Sequence, residues 1–299
     1  MLRSVRDALR YIYCMSTSSR RINWAWLGLI PFIIFAAAFL ITPSAAIFVR
    51  SFQDNNGAFT FNNILGLAQK SIRDSYWVSI RLSFVTALIG AVFGSLVAYA
   101  LILGDGPRWL RNAFMTFSGV ASNFAGVPLA FAFLSTLGRL GLMTVLLKSL
   151  GLDLYASGFS LYTFWGLALT YIYFQFPLAI LILAPALDGL KKQWREASEN
   201  LGASSWQYWR YVGLPILTPA LLSMFILLFG NAFGAYATAY ALTGGQISLV
   251  TIVIGSQIQG DVFNNQGLGN ALALGMVVIM ALSVVLYSAL QQRTARWLR

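Results

Sequence analysis

Long stretches without charge dominate the pattern of hydrophobic and polar positions along this chain. Six segments contain no Asp, Glu, Lys or Arg, and each is long enough for the roughly 20 residues that a helix needs to cross a hydrocarbon layer about 30 Å thick. A soluble core helix is rarely apolar around its whole circumference. The pattern therefore predicts an all-α integral membrane protein with six transmembrane helices, near residues 25–49, 80–104, 112–137, 159–187, 214–241 and 267–290.

The fifth charge-free segment, 211–260, is long enough for two helices, but its second half is poorly suited to a span. Between Gly244 and Gly260, glycine, serine and glutamine residues bracket a short apolar run. Such a run is typical of an interfacial or re-entrant segment. A seventh helix would also move the C-terminal arginines to the side opposite the N-terminus, so we keep six.

The basic residues predict how the helices are oriented. Most of the 20 Lys and Arg residues lie in the N-terminal segment and in alternate connecting segments. Cytoplasmic loops carry such an excess of positive charge, so we predict that both termini are cytoplasmic. Residues 1–22 form a basic cytoplasmic segment in this prediction, either an interfacial amphipathic helix or a disordered tail, and residues 23–299 form the transmembrane domain.

The composition excludes several classes of function. Charged residues make up 10% of the chain, the mean hydropathy is +0.71, and there is no His. Without His, the chain lacks the usual general base and the commonest metal ligand. Cys14 is the single cysteine, so a cysteine metal site is also excluded. No Gly-x4-Gly-Lys-Ser/Thr stretch for binding ATP occurs. We predict no catalytic residue, no metal and no cofactor in this chain. The formal charge of +11 mostly reflects membrane orientation, so we also expect no nucleic-acid partner.

The polar loop between the fourth and fifth predicted spans, residues 188–213, has the pattern of two short helices joined by a glycine. Apolar residues recur at helical spacing in its first half. Gly202 permits the positive φ that ends a helix, and Ser204 or Ser205 can cap the second one. An apolar face on such an elbow can enter a groove on a partner or lie on lipid headgroups. The apolar residues of the first half are Leu190, Trp194, Ala197 and Leu201.

The same loop carries a longer motif with fixed spacing. The motif consists of Glu196, Ala197, Ser198, Gly202, Val212, Leu214 and Pro215. It resembles the "EAA" loop of binding-protein-dependent ABC importer permeases of type I, which has Glu-Ala-Ala, three residues, Gly, nine residues, Ile, one residue and Leu-Pro. Ser198 stands in place of the second Ala, and Val212 in place of the Ile. The resemblance extends from about residue 28 to the C-terminus.

The resemblance implies a function in transport without catalysis. In that family the loop is the coupling helix, which docks into a cleft of an ATP-binding subunit. Two copies of that subunit bind the ATP and Mg. A second permease, which we expect to be a different chain, completes the path. A periplasmic binding protein delivers the cargo through the bacterial inner (plasma) membrane. The coupling role then falls on Glu196, Ala197, Ser198, Gly202, Leu214 and Pro215.

The cargo is less clearly indicated than the transport mode. Thr243-Gly244-Gly245 and the segment from Gly267 to Ala271 look most like the polyamine (spermidine/putrescine) permeases, so the expected cargo is a polyamine-like small solute. Iron, phosphonate or another small solute is the alternative within the family. A stand-alone secondary transporter is the alternative outside it, and it would need intramembrane carboxylates, which the predicted spans lack.

Polar residues in the fifth predicted span are candidates for lining the translocation path. Asn231 and Thr238 are two helical turns apart, on one face of a continuous helix. Tyr236 and Tyr240 could hold a cation by cation–π contact. Because polar groups in hydrocarbon also pair between helices, interhelical hydrogen bonds are the alternative role.

Overall fold

The computed structural model describes residues 25–54, 57–104, 106–259 and 265–295, and the predicted N-terminal segment 1–22 lies outside these ranges. The first helix, α1 (Ala25–Ala36), continues through a π turn (Ala37–Ile41) into α2 (Thr42–Ser51). The turn precedes Pro43, which has no backbone N–H for an α-helical hydrogen bond. The chain divides into two compact units at Ala46, and the packing described below lies within the second unit, which begins at Ile47.

Twelve further helices follow within the described residues. They are α3 (Asn62–Gly66), α4 (Lys70–Leu103), α5 (Arg108–Asn123), α6 (Val127–Leu137), α7 (Leu142–Ser149), α8 (Phe164–Asp188), α9 (Lys192–Asn200), α10 (Ser205–Tyr208), α11 (Leu214–Phe233), α12 (Ala237–Thr243), α13 (Val250–Gln259) and α14 (Gln266–Ala295). A π turn (Trp209–Gly213) joins α10 to α11.

The predicted all-α membrane architecture is confirmed. Six apolar helical stretches in the described residues are long enough to cross a membrane. They are Gly28–Ser51, Lys70–Leu103, Val127–Ser149, Phe164–Asp188, Ser205–Phe233 and Gln266–Gln292. The segment predicted to be too short for a span contains α13, a helix of 10 residues. Its first N–H, at Val250, donates to the Ser79 hydroxyl of α4.

The third crossing is formed by α5 and α6 rather than by the most apolar stretch alone. Arg111, near the start of α5, forms a 2.6 Å ion pair with Asp188 at the end of α8. At the other end, the Tyr155 hydroxyl in the loop before α8 donates to the Leu137 carbonyl at the end of α6. Helix α5 therefore runs antiparallel to α8, and the end of α6 contacts the loop before α8.

Helix α8 lies at the centre of the packing, with α4, α5 and α11 around it. Small residues let α4 approach it closely, because a Cβ on Gly94 would lie 2.4 Å from the Cβ of Ala179. Above this contact, Gly90 packs against Gln175, whose amide lies 2.7 Å from the Thr86 hydroxyl. All of Ala179, Gln175 and Thr86 are buried, so α4 and α8 form a tightly joined pair.

The predicted third and fifth spans are wrong in one respect, because each is broken. The chain leaves the α-helix between α5 and α6, where Gly126 has a φ of +76° and Pro128 lacks an N–H to continue the helix. The chain leaves the α-helix a second time between α11 and α12, at Gly234–Tyr236. Asn231 and Thr238 therefore do not share one face of a continuous helix. Hydropathy reports whether a segment suits hydrocarbon and not whether its backbone hydrogen bonds are continuous.

Candidate coupling loop and translocation path

The loop after α8 has the helix–glycine–helix form that its sequence predicts. Helix α9 ends with the N–H of Gly202 bound to the Glu199 carbonyl and that of Ala203 bound to the Ser198 carbonyl. Gly202 has a φ of +79°, a conformation that residues with a Cβ rarely adopt. Its Cβ position faces open space, so the requirement for glycine comes from the backbone and not from crowding.

Ser204, and not Ser205, caps the second helix. Its hydroxyl accepts from the N–H of Gln207, and the Gln207 side chain accepts from the N–H of Ser204 at 2.7 Å. This reciprocal pair is a capping box, which fixes the direction in which a helix starts. After α10 and the π turn, α11 begins at Leu214 with Pro215 in its first turn, where a missing N–H does no harm.

One face of α9 is left uncovered by the residues that the structure describes. Leu190, which begins the predicted apolar stripe, is buried in the core. The rest of the stripe turns outward: Trp194 is 37% exposed, Leu201 is 88% exposed, and Ala197 is also exposed. Glu196 lies exposed on the same helix and forms no salt bridge with any residue in the described ranges. Hence α9 presents an uncovered apolar face, whereas Glu196 lies on another face of the helix and lines the groove between α9 and the end of α4.

The loop is nevertheless held firmly to the membrane helices. The Trp209 ring contacts Tyr99 of α4, with ring centroids 5.3 Å apart. A Cβ on Gly213 would lie 2.6 Å from the Trp209 ring, so the π turn closes tightly around it. Within α9, Arg195 binds Glu199 at 2.9 Å, and that hydrogen bond raises the pKa of Arg195. Ser198, the departure from the motif, donates its hydroxyl to the Arg195 carbonyl and so disturbs nothing outside α9.

The predicted path residues are separated by the break after α11. Asn231 lies exposed on α11, whereas Tyr236 lies within the break. Tyr240 is 51% exposed, and its ring stacks on that of Tyr236 with centroids 5.4 Å apart and planes 18° apart. Thr238 is buried, and its hydroxyl accepts from the N–H of Gly126 at 2.8 Å. The structure therefore unites the two tyrosines and uses Thr238 to join two helices.

A hydrogen bond between Tyr171 and Ala235, which the sequence did not predict, lies at the break after α11. The Tyr171 hydroxyl, from the continuous helix α8, donates to the Ala235 carbonyl at 2.7 Å. That carbonyl belongs to the break, where no regular helical partner is in place. Tyr171 is fully buried among the helices. The break between α5 and α6 had a sequence signal in the Gly126-Val-Pro128 run. Gly and Pro are common in membrane helices, so this run does not identify a break by itself.

A family model described as "binding-protein-dependent transport system inner membrane component" matches residues 90–299, which include the 188–213 loop and both broken helices. The chain belongs to this family. It is thus a multi-pass inner-membrane permease component, and such components are not enzymes. The permease motif at 196–215 lies inside the matched range.

Relatives of this permease are named as permease proteins of sulfate and thiamine transport systems. It is 26% identical to the sulfate transport system permease protein CysW of Escherichia coli over 92% of this chain and 91% of the relative. It is 26% identical to a probable sulfate permease of Nephroselmis olivacea over 77% of this chain and 76% of the relative. The thiamine permease ThiP of Escherichia coli is 29% identical over 63% of this chain and 35% of its own length. None of these three is a polyamine permease.

Solved structures show the same permease fold. A bacterial ABC transporter for import of the acidic polysaccharide alginate superposes with a TM-score of 0.70, at 18% identity, over 90% of this chain and 95% of that one. The MetNI methionine ABC transporter in an inward-facing conformation gives a TM-score of 0.56 at 17% identity, over 74% and 94%. At these identities the likeness establishes the fold alone.

Proposed function

We propose that this permease is the membrane subunit of an ATP-driven importer and that α9 is its coupling helix, docked on an ATP-binding subunit. The observation that carries the proposal is the uncovered apolar face formed by Trp194, Ala197 and Leu201, with the exposed Glu196 on another face of the same helix. An amphipathic helix with an apolar face of this kind fits a groove on a partner protein. Glu196 acts in docking and not as a catalytic acid.

The loop is built to transmit motion as a rigid body. Gly202 and the Ser204–Gln207 pair set the angle between α9 and α10, and the Trp209–Tyr99 contact joins the loop to α4. The Arg111–Asp188 ion pair joins the end of α8 to α5 directly before the loop. When two ATP-binding subunits close on ATP and Mg, a rigid loop of this kind carries their displacement to the spanning helices.

The translocation path passes the breaks in the third and fifth crossings. Backbone outside regular helix is tolerated at membrane depth only where protein buries it or where it lines a water-filled cavity. Discontinuous helices therefore mark binding positions in transporters. Asn231, Tyr236 and Tyr240 lie at or beside the break after α11 and are our path candidates. Thr238 contributes by holding the two breaks together.

The assembly we propose has two permeases around one path, two ATP-binding subunits and a periplasmic binding protein. A second, different permease chain supplies the other half of the path. Both termini and the 188–213 loop lie in the cytoplasm, since the basic residues of the loop and of the C-terminal segment then obey the positive-inside rule. Dependence on a binding protein is the property that the family name states.

A small organic cation is the cargo that the path residues favour. The stacked Tyr236 and Tyr240 rings present aromatic faces that attract cations without binding them tightly. Polyamines, which the resemblance of residues 243–245 and 267–271 suggests, and thiamine, the cargo of one relative, both meet this description. Sulfate is the second candidate, because a sulfate permease matches nearly the whole chain. Thermal-shift assays of the companion binding protein with spermidine, thiamine and sulfate separate these cargoes.

Co-purification of the ATP-binding subunit tests the coupling role. We expect Glu196→Lys to weaken co-purification and to abolish cargo-stimulated ATP hydrolysis, and Gly202→Pro to do the same by altering the loop angle. Asp74→Lys is the matched control, because Asp74 is an exposed carboxylate on α4 at the other end of the molecule. If both loop variants bind the subunit and hydrolyse ATP as the control does, the docking proposal is wrong.

A further inference from the structure

A cavity of about 640 Å³ opens beside the first turns of α4, far from the coupling helix. Its two long walls are single faces of α4 and α14, and α3 and Phe52 close one end. The opposite end of α4 lines the groove under α9, some 45 Å away for a helix of this length. Among the lining residues are Arg73, Trp77, Ile80, Leu274, Val278 and Ile279.

The interior of the cavity is suited to hydrocarbon and not to a polar solute. Its lining is apolar apart from Arg73, at the end nearest α3, and the Tyr76 hydroxyl, and that hydroxyl already donates to the Leu272 carbonyl at 2.5 Å. The lining extends along α14 from Ala271 to Ile279, which is about 12 Å of helix. That length fits within the roughly 15 Å of hydrocarbon in one leaflet, half of a core about 30 Å thick.

A cation lines the cavity at the end nearest α3. Arg73 lies in the first turn of α4, is exposed, and has no ion pair among the described residues. Trp77, one turn further into α4, is 65% exposed, which is typical of an indole at the headgroup level. A guanidinium at that level suits a phosphate group, because its N–H fork matches phosphate oxygens.

We propose that this cavity is a phospholipid site, in which an acyl chain of an anionic phospholipid fills the space between α4 and α14 and Arg73 binds its phosphate. A chain that crosses a membrane is surrounded by such lipids, and the site combines an apolar cleft of leaflet depth with a cation where the headgroup lies. The proposal depends on the membrane location of this permease and not on its coupling to an ATP-binding subunit.

Native mass spectrometry of the complete transport complex tests the proposal. The complex is stripped of lipid in detergent and titrated with dioleoyl phosphatidylglycerol, and retained lipid is counted under increasing collision energy. We expect one lipid per copy of this chain to resist removal. Arg73→Gln removes a charged hydrogen-bonding partner, so its apparent affinity should fall about tenfold. Val278→Trp, at a half-exposed lining position, should fill the cavity and abolish retention.

Arg139→Gln is the matched control, because Arg139 is an exposed arginine of the same half of the molecule that does not line the cavity. It should retain lipid as the unaltered chain does, and all variants should hydrolyse ATP normally. Equal retention in Arg73→Gln and Arg139→Gln would overturn the proposal. It would also be overturned if Val278→Trp left the lipid count unchanged and instead dissociated the second permease, since the cavity would then be a protein interface.

Discussion

The backbone N–H of Gly126 donates to the Thr238 hydroxyl at 2.8 Å, and this bond joins the third and fifth crossings at the points where both are broken. Tyr171 of α8 donates to the Ala235 carbonyl in the second of these breaks. Polar backbone groups freed by the breaks are thus satisfied by neighbouring helices, as hydrocarbon surroundings require. The fragments α6 and α12 are thus joined by this bond as well as by direct packing.

Thr238→Val tests this connection. The substitution keeps the shape of the side chain but leaves the Gly126 N–H without its acceptor, which should destabilise the permease by about 1–3 kcal/mol. The measurement is the thermal unfolding of the purified permease in detergent. Thr218→Val is the control, because the Thr218 hydroxyl binds the Leu214 carbonyl of its own helix and is exposed. Equal unfolding temperatures for the two variants would show that the bond contributes nothing.

Gly202→Ala should uncouple ATP hydrolysis from transport without a steric clash. The φ of +79° places an alanine in a left-handed conformation that costs about 1–2 kcal/mol, while its Cβ meets open space. Gly202→Asn should be milder, since asparagine tolerates this conformation better. The ratio of cargo transported to ATP hydrolysed in proteoliposomes is the readout. Gly119→Ala, also facing open space but in the regular helix α5, should leave the ratio unchanged.

Ser204→Ala should loosen the start of α10. Loss of the capping box costs about 1 kcal/mol, so amide protons at residues 205–208 should exchange faster with deuterium. Ser205→Ala is the matched control, because Ser205 is the first residue inside the same helix and its hydroxyl caps nothing in the structure. Faster exchange in the Ser205 variant than in the Ser204 variant would contradict the assignment of the cap.

Asp153 should make its loop sensitive to acid. The hydrogen bond from the N–H of Ala156 lowers the pKa of Asp153 below its ordinary value, and the Lys148 side chain lowers it further. A lowered pKa in the folded state means that the contribution to stability is present above the unfolded value of about 3.9 and is lost as the pH falls through the folded value. Protection of the Tyr155 and Ala156 amides, corrected for intrinsic exchange, should therefore decrease below about pH 3.9. In Asp153→Asn this protection should not change with pH.

Local features of the coupling loop were predictable one residue at a time. A glycine at the end of an amphipathic helix and a serine at the start of the next act through their immediate neighbours, so Gly202 and a cap at Ser204 or Ser205 follow from the printed sequence. The choice of Ser204 and its pairing with Gln207 came from the structure. The exposure of Trp194 and Leu201 did not follow from it. Their apolar spacing fits burial in the same chain equally well, and only the packed structure leaves them uncovered.

The amino-acid sequence by itself determined that this protein has six spans and a helix–glycine–helix loop with the permease motif, because charge-free length and motif spacing act through the solvent and the local chain. Only the tertiary structure decided where the crossings break and which polar groups meet. Thr238 and Gly126 are separated by more than a hundred residues, and whether a hydroxyl lines a path or binds a distant amide depends on which helices pack together. The same holds for the cavity between α4 and α14, whose walls come from opposite ends of the chain.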